Sequence, residues 1–300
     1  MIKINEKNKM LLQLRDRINR LRSFWSMNPA LFGMLLFTVM IVVGPLPAPA
    51  YADTIRLGGT GGALGGMKLL AEEFKKSHPG DTIIVLSSMG SSGGIKALLS
   101  GALDIGLSSR PLTDAEQGRG LIGREYARTP LVIAVAKKNG ASGFSLQQVT
   151  DIYAGKTRTW PDGTPLRLVI RPAAEFDTTL LKSMSSDMNR AVQDALSRKG
   201  MIMAVTDQDS ADAIEKIPGA LGTTTLAQII SEKRALKKLS LNGVDPGPKT
   251  IADGTYPFFK TFHLITGSNP SPLARQFIKF ILSARGREIL TGSGHWVAGR

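Results

Sequence analysis

The sequence predicts an α/β protein with mixed, largely parallel sheets. Three observations carry that expectation. Short β-branched runs alternate with stretches of helical periodicity from residue 54 onward. Small-residue turns lead from several strands into the helices that follow. The chain has 300 residues, 42% of them apolar, long enough for one large domain or two lobes, each with its own core.

The first fifty residues stand apart. Residues 1–29 hold seven Lys and Arg against two acids, and an uncharged stretch follows from Asn28 to Ala52. Its apolar centre, Leu31 to Val43, is short for a membrane span. Pro45, Pro47 and Pro49 come next, then Ala50-Tyr51-Ala52, a small-residue cleavage pattern. Residues 1–52 therefore read as a secretory signal peptide with a long basic leader, the alternative being an uncleaved anchor. The expected compartment is a bacterial periplasm. Cysteine is absent, which excludes disulfides and thiolate metal sites. The leader's surplus of five positive charges leaves +9 of the total +14 on the remainder.

The elements follow in order. A strand at Thr54–Leu57 precedes a helix whose apolar face is Leu64, Met67, Leu70, Ala71 and Phe74. A strand at Thr82–Leu86 precedes a helix near Ile95–Leu99, and a third strand covers Ile105–Leu107. Leu131–Val135 has the continuous apolar character of a buried strand. A helix through Ile152 ends at Gly155, and Trp160 to Gly163 forms a turn before a strand at Leu166–Ile170. A helical hairpin fills Thr178 to Lys199. Short strands at Ile202–Val205 and Ala220–Leu221 flank a helix, and Lys249 to Lys260 is loop-rich. A strand at Phe262–Ile265 and a helix from Leu273 to Ser283 close the pattern.

The turns carry the chemistry. Gly58-Gly59-Thr60-Gly61-Gly62-Ala63 follows the first strand, but Leu64 breaks the dinucleotide fingerprint and Met67 follows Gly66 where a nucleotide loop needs lysine. What remains is a helix-start nest whose bare N–H groups favour an anion. Ser91-Ser92-Gly93-Gly94 opens the second helix, where serine otherwise serves as a simple N-cap. Ser109 and Arg110 follow the third strand. Arg171 ends the strand Leu166–Ile170, and Asp177-Thr178 opens the next helix. Four such strand ends suit a tetrahedral oxyanion, because open α/β sheets bind ligands beyond the carboxyl ends of their strands.

These motifs resemble the periplasmic phosphate-binding proteins of ATP-driven importers, within the type II solute-binding superfamily. The resemblance covers roughly residues 54–298. It rests on Ser91 to Lys96, Asp104 to Arg110, Leu146 to Lys156 with Trp160, Pro218 to Gly222, Tyr256-Pro257, and Phe277 to Gly294. It implies one lobe of residues 53–135 plus 245–300, a second lobe of residues 136–244, and phosphate bound between them. The implied ligand contacts are Thr60, Gly61, Gly62, Ser91, Ser92, Ser109, Arg110, Arg171, Asp177 and Thr178. Two departures stand out. A Ser-Arg pair replaces the aspartate that many members place at Ser109, and the Ser-Gly-Thr stretch of the family reads Glu175-Phe176-Asp177-Thr178. Asp177 is then either a helix N-cap or the acceptor for a ligand proton.

The resemblance implies a monomer that delivers inorganic phosphate to an inner-membrane ABC permease, without cofactor or metal. A receptor for sulfate, molybdate or tungstate, and a periplasmic sensor or adaptor, are the other readings. Enzymatic readings lack support. His78, His263 and His295 are widely separated, with neither metal-ligand spacing nor a nucleophile elbow. After residue 52 no basic run interleaves with aromatics, so nucleic acid is not an expected partner.

Overall fold

A computed structural model describes residue 13, residues 15–19 and residues 53–298. The chain divides into two units, Met1–Tyr51 and Ala52–Arg300. In the first, Gln13 and residues 15–19 are helical and exposed. The apolar segment and cleavage pattern read as an export signal lie outside the described residues. Among the described residues, no helix is long and apolar enough to cross a membrane.

The second unit opens with β1 (Thr54–Gly59), α1 (Leu64–Ser77), β2 (Thr82–Val85), α2 (Gly90–Leu99), β3 (Ile105–Ser108) and the single turn α3 (Asp114–Gln117). The long strand β4 (Leu121–Ala136) leads to β5 (Gly143–Phe144), α4 (Leu146–Tyr153) and β6 (Arg167–Ile170). Next come α5 (Phe176–Ser183), α6 (Ser186–Ser197), β7 (Ile202–Met203), α7 (Asp207–Lys216) and β8 (Ala220–Thr225). Then follow α8 (Leu226–Ser231), β9 (Leu236–Lys238), β10 (Ser240–Leu241) and α9 (Pro248–Ala252). Strand β11 (Phe259–Gly267) and helices α10 (Pro272–Ile281) and α11 (Ala284–Gly292) complete the unit.

The main sheet runs β2-β1-β3-β11-β4-β8-β6-β7, with β9 also paired to β4. Its wings are parallel, as βαβ crossovers require: β1 with β2 and β3, β6 with β7 and β8. Its centre is antiparallel, because β11 returns between β3 and β4 and β4 runs against β8. The fold class is the one the sequence predicts.

Two cores flank this centre. Leu57, Met67, Phe74, Leu107, Phe262 and Phe277 anchor the first. Val135, Tyr153, Trp160, Ile170, Met188 and Leu221 anchor the second. Strand β4 feeds both, giving Tyr126 and Ala127 to the first and Ile133 and Val135 to the second. Its sixteen residues pair with β11 up to Pro130 and with β8 from Leu131 onward.

Three element boundaries differ from the sequence reading. β4 starts at Leu121, not Leu131, because exposed Arg124 and Glu125 conceal the strand pattern. The stretch 249–260 begins with α9 and ends in β11. The closing helix stops at Ile281, and the Ser283 hydroxyl accepts the Gly286 N–H at 3.2 Å to start α11.

Candidate functional site

The turns after β1 and β3 and the start of α2 lie side by side because backbone packs on backbone between them. Gly59 has φ +144°, and a Cβ there would strike the Leu107 carbonyl. The Thr60 N–H donates to that same carbonyl at 2.9 Å, which fixes the turn Thr60–Gly62 beside the end of β3. A Cβ on Gly94 would lie 2.7 Å from Gly59 Cα, so the start of α2 presses directly on β1.

Neither Ser91 nor Ser92 caps α2. Met89 holds the N-cap position with no side-chain bond. The Ser91 hydroxyl instead accepts the Ser109 N–H at 2.9 Å and bonds the Ser109 hydroxyl at 3.0 Å. This link ties the second and third turns together and leaves the α2 terminus free of a side-chain cap. Arg110 is engaged elsewhere: its two terminal nitrogens each donate to the Glu116 carboxylate at 2.8 Å, and one reaches Ser92 Oγ at 3.4 Å. That hydrogen bonding holds Glu116 at about 2, despite burial.

Arg171 directly follows β6, with only 3% of its surface exposed. Its Nη1 donates to the Ala204 carbonyl at 2.9 Å, and its Nη2 pairs with Glu175 Oε2 at 3.2 Å. Its Nε is buried without a partner. Thr178 supports this residue from behind, its hydroxyl donating to the Arg171 carbonyl at 3.1 Å.

Asp177 is not the helix N-cap. Glu175 holds that position in α5, and Asp177 lies one residue into the helix, buried, where it pairs with Lys260 and accepts from Thr223 Oγ1 at 3.3 Å. The buried Lys260 ammonium needs carboxylates about it, and Asp177 and Asp207 supply them, the latter at 2.7 Å. Burial alone would raise Asp207; Lys260, Arg171 and the Gly62 N–H bring it to about 2. Glu175 goes the other way, raised by burial against the opposing pull of Arg171.

The turn Thr60–Gly62 meets the start of α7 at Gly61. The Gln208 side-chain amide donates to the Gly61 carbonyl at 3.0 Å. A Cβ on Gly61 would lie 2.8 Å from both Asp207 Cβ and Ser88 Oγ. The Ser88 hydroxyl and the Gln208 carbonyl oxygen are buried there without partners. A cleft of about 900 Å³ opens beside them, lined by Ser87, Ser88, Thr206, Gln208 and Asp209 with Lys68 of α1. Glu175 closes the other approach, 3.8 Å from where a Cβ on Gly90 would stand.

Asp207 thus links Arg171 to the Thr60–Gly62 turn and Glu175 links it to the start of α2 at Gly90, Ser91 and Ser109 bond each other, Arg110 faces Glu116, Thr178 bonds the Arg171 carbonyl, and Asp177 pairs with Lys260. Sequence reasoning missed Ser88, Glu175, Asp207, Gln208 and Lys260. Asp207 and Gln208 follow the strand Ile202–Val205 at the same kind of strand end as Arg171, a signal that was available. Lys260 gave none.

The PBP superfamily domain matches residues 47–285. The chain belongs to the PBP superfamily. Among its relatives, the phosphate-binding protein PstS of Bacillus subtilis is 26% identical over 235 residues, covering 75% of this chain and 74% of the relative. Phosphate-binding protein PstS 2 of Streptococcus pneumoniae is 39% identical over 94 residues, covering 31% of this chain and 32% of that protein. A phosphate-bound structure of a phosphate ABC transporter substrate-binding protein from Clostridium perfringens shares the fold, with a TM-score of 0.68 at 21% identity. It covers 82% of this chain and is itself covered completely. An ABC-type phosphate transport receptor from Vibrio cholerae aligns at a TM-score of 0.57 and 23% identity, over 81% of this chain and all of its own.

Proposed function

We propose that this protein is an extracytoplasmic receptor that captures inorganic phosphate between its lobes and delivers it to an inner-membrane ABC permease. The observation that carries the reading is Arg171: a buried guanidinium at a strand end, with Nε unpartnered, joined through Asp207 to the Gly62 turn and through Glu175 to the α2 start at Gly90. A planar donor fork and backbone N–H groups in a dry junction supply the positive field an oxyanion needs. The relatives named phosphate-binding protein support phosphate as that oxyanion.

In this reading the lobes comprise residues 53–135 with 245–300, and residues 136–244, and the ligand favours their closure. Thr60, Gly61, Gly62, Ser91, Ser92 and Ser109 contact the anion from the first lobe, with Arg110 at the rim. Arg171 contacts it from the second, with Thr178 and Asp177 holding Arg171 and Lys260 in place. The receptor works as a periplasmic monomer without metal or cofactor, and it turns nothing over.

The test is a thermal melt of the full chain, freed of ligand by partial unfolding and refolding, with phosphate, sulfate, molybdate and tungstate. At about 100 times its dissociation constant a ligand adds roughly 2.7 kcal/mol, on the order of 5–10 °C for a protein of this size. A shift with phosphate alone supports the proposal. A shift with another anion alone replaces phosphate by that anion, and no shift with any of them overturns the transport reading in favour of a sensor or adaptor.

A further inference from the structure

Three carboxylates and two cations crowd the junction: Asp177, Asp207 and Glu175 against Arg171 and Lys260. The set carries one negative charge too many to welcome a dianion. Two of the carboxylates cannot leave. Asp177 and Asp207 are buried and clamped on the same ammonium. Glu175 is different. Its side chain is 33% exposed, its one ion pair is to Arg171 at 3.2 Å, and it leaves its own helix N-terminus uncapped to make it.

Resting on the phosphate reading, we propose that Glu175 gates the site: its carboxylate occupies the Arg171 fork as an internal stand-in for the ligand, and an oxyanion displaces it with one proton shared between them. The proton balance is simple. A monohydrogen phosphate meets a neutral Glu175, or a dihydrogen phosphate meets the charged one, and the two complexes have the same composition. In both, Glu175 and the anion hold one hydrogen bond where two bare negative charges would repel. The groups facing Glu175 fit this role. Arg171 of β6 and Lys260 of β11 attract its charged form, whereas Asp207 of α7 and Asp177 of its own helix oppose it, and burial raises it further. The α2 start at Gly90 presents backbone, with no titratable side chain. The gate therefore admits an anion more readily as pH falls.

The experiment measures inorganic phosphate binding to the full chain by calorimetry from pH 5.5 to 8.5, for the parent, Glu175→Gln and Glu175→Ser, each shown folded by its melt. The parent's affinity weakens toward about tenfold per pH unit in the upper part of the range, as one-proton linkage requires. Glu175→Gln binds at least tenfold tighter than the parent at pH 8 and has a flatter profile. Binding by the variants but not the parent also upholds the gate, while overturning phosphate capture by the native chain. Equal affinities and equal slopes overturn the gate and leave the phosphate reading intact. If no form binds phosphate, sulfate, molybdate or tungstate at any pH, both fall.

Discussion

The Lys260 ammonium lies 2.7 Å from the Asp207 carboxylate, with both side chains 5% exposed or less. This pair joins β11 to the start of α7. With Asp177 on its other side, Lys260 ties the starts of α5 and α7 to β11.

Lys260→Met tests that role. Removing the cation leaves two buried carboxylates with Arg171 as their nearest counter-charge, an arrangement that costs about 3–5 kcal/mol. Urea denaturation should show that loss, and Lys260→Met combined with Asp177→Asn and Asp207→Asn should recover most of it. A Lys260→Met midpoint equal to the parent's would show that the triad is not a structural clamp.

Arg171→Ala should abolish the melting shift produced by oxyanions. Its guanidinium bonds the Ala204 carbonyl and Glu175 in a buried setting, so truncation removes about 2–5 kcal/mol of anion binding. The protein stays folded, with a lower melting temperature. Retained affinity would place the ligand elsewhere.

Gly94→Ala should loosen the site through packing alone. The added methyl would sit 2.7 Å from Gly59 Cα and 2.9 Å from the Gly58 carbonyl, both backbone atoms that cannot swing aside. Overpacking of this kind costs about 1–3 kcal/mol. The start of α2 shifts away from β1, and the Ser91–Ser109 link shifts with it. The expected readout is weaker oxyanion binding together with a lower denaturation midpoint; an unchanged midpoint would contradict the packing.

His295 gives the fold an acid limit. It is wholly buried, and burial lowers its ring from 6.5 to about 4. Between those values the unfolded chain takes up a proton that the folded one refuses. Its contribution is therefore undiminished above pH 6.5 and lost progressively as pH falls toward 4, by roughly 3 kcal/mol in all. His295→Asn should flatten the dependence of urea midpoint on pH between 7 and 5. A parallel decline in both proteins would contradict this.

The alternation of elements was legible because each strand-turn-helix unit writes its own local pattern, as in Thr54–Gly59 leading to the apolar stripe Leu64, Met67, Leu70 and Phe74. The glycine- and serine-rich turns were legible for the same reason, since glycine and serine at strand ends are local signals. What escaped was set by distant partners. Asp177 looks like a cap in sequence and is an ion-pair partner in space, because Lys260 arrives from a strand more than eighty positions later. Glu175 looks like an insertion and proves to lie on Arg171. The outer half of β4 hid because its charged residues face solvent while β11 supplies the pairing.

The position of β11 between β3 and β4 bears on biosynthesis. Both neighbours precede it in the chain, and neither acquires its partner there until every element from β5 to α9 has been made. Strands β1, β2 and β3 can pair with one another early, but the facing edges of β3 and β4 stay open until β11 is translated. Long-range pairing of this kind is slow. The centre of the sheet is thus the last part of it to close.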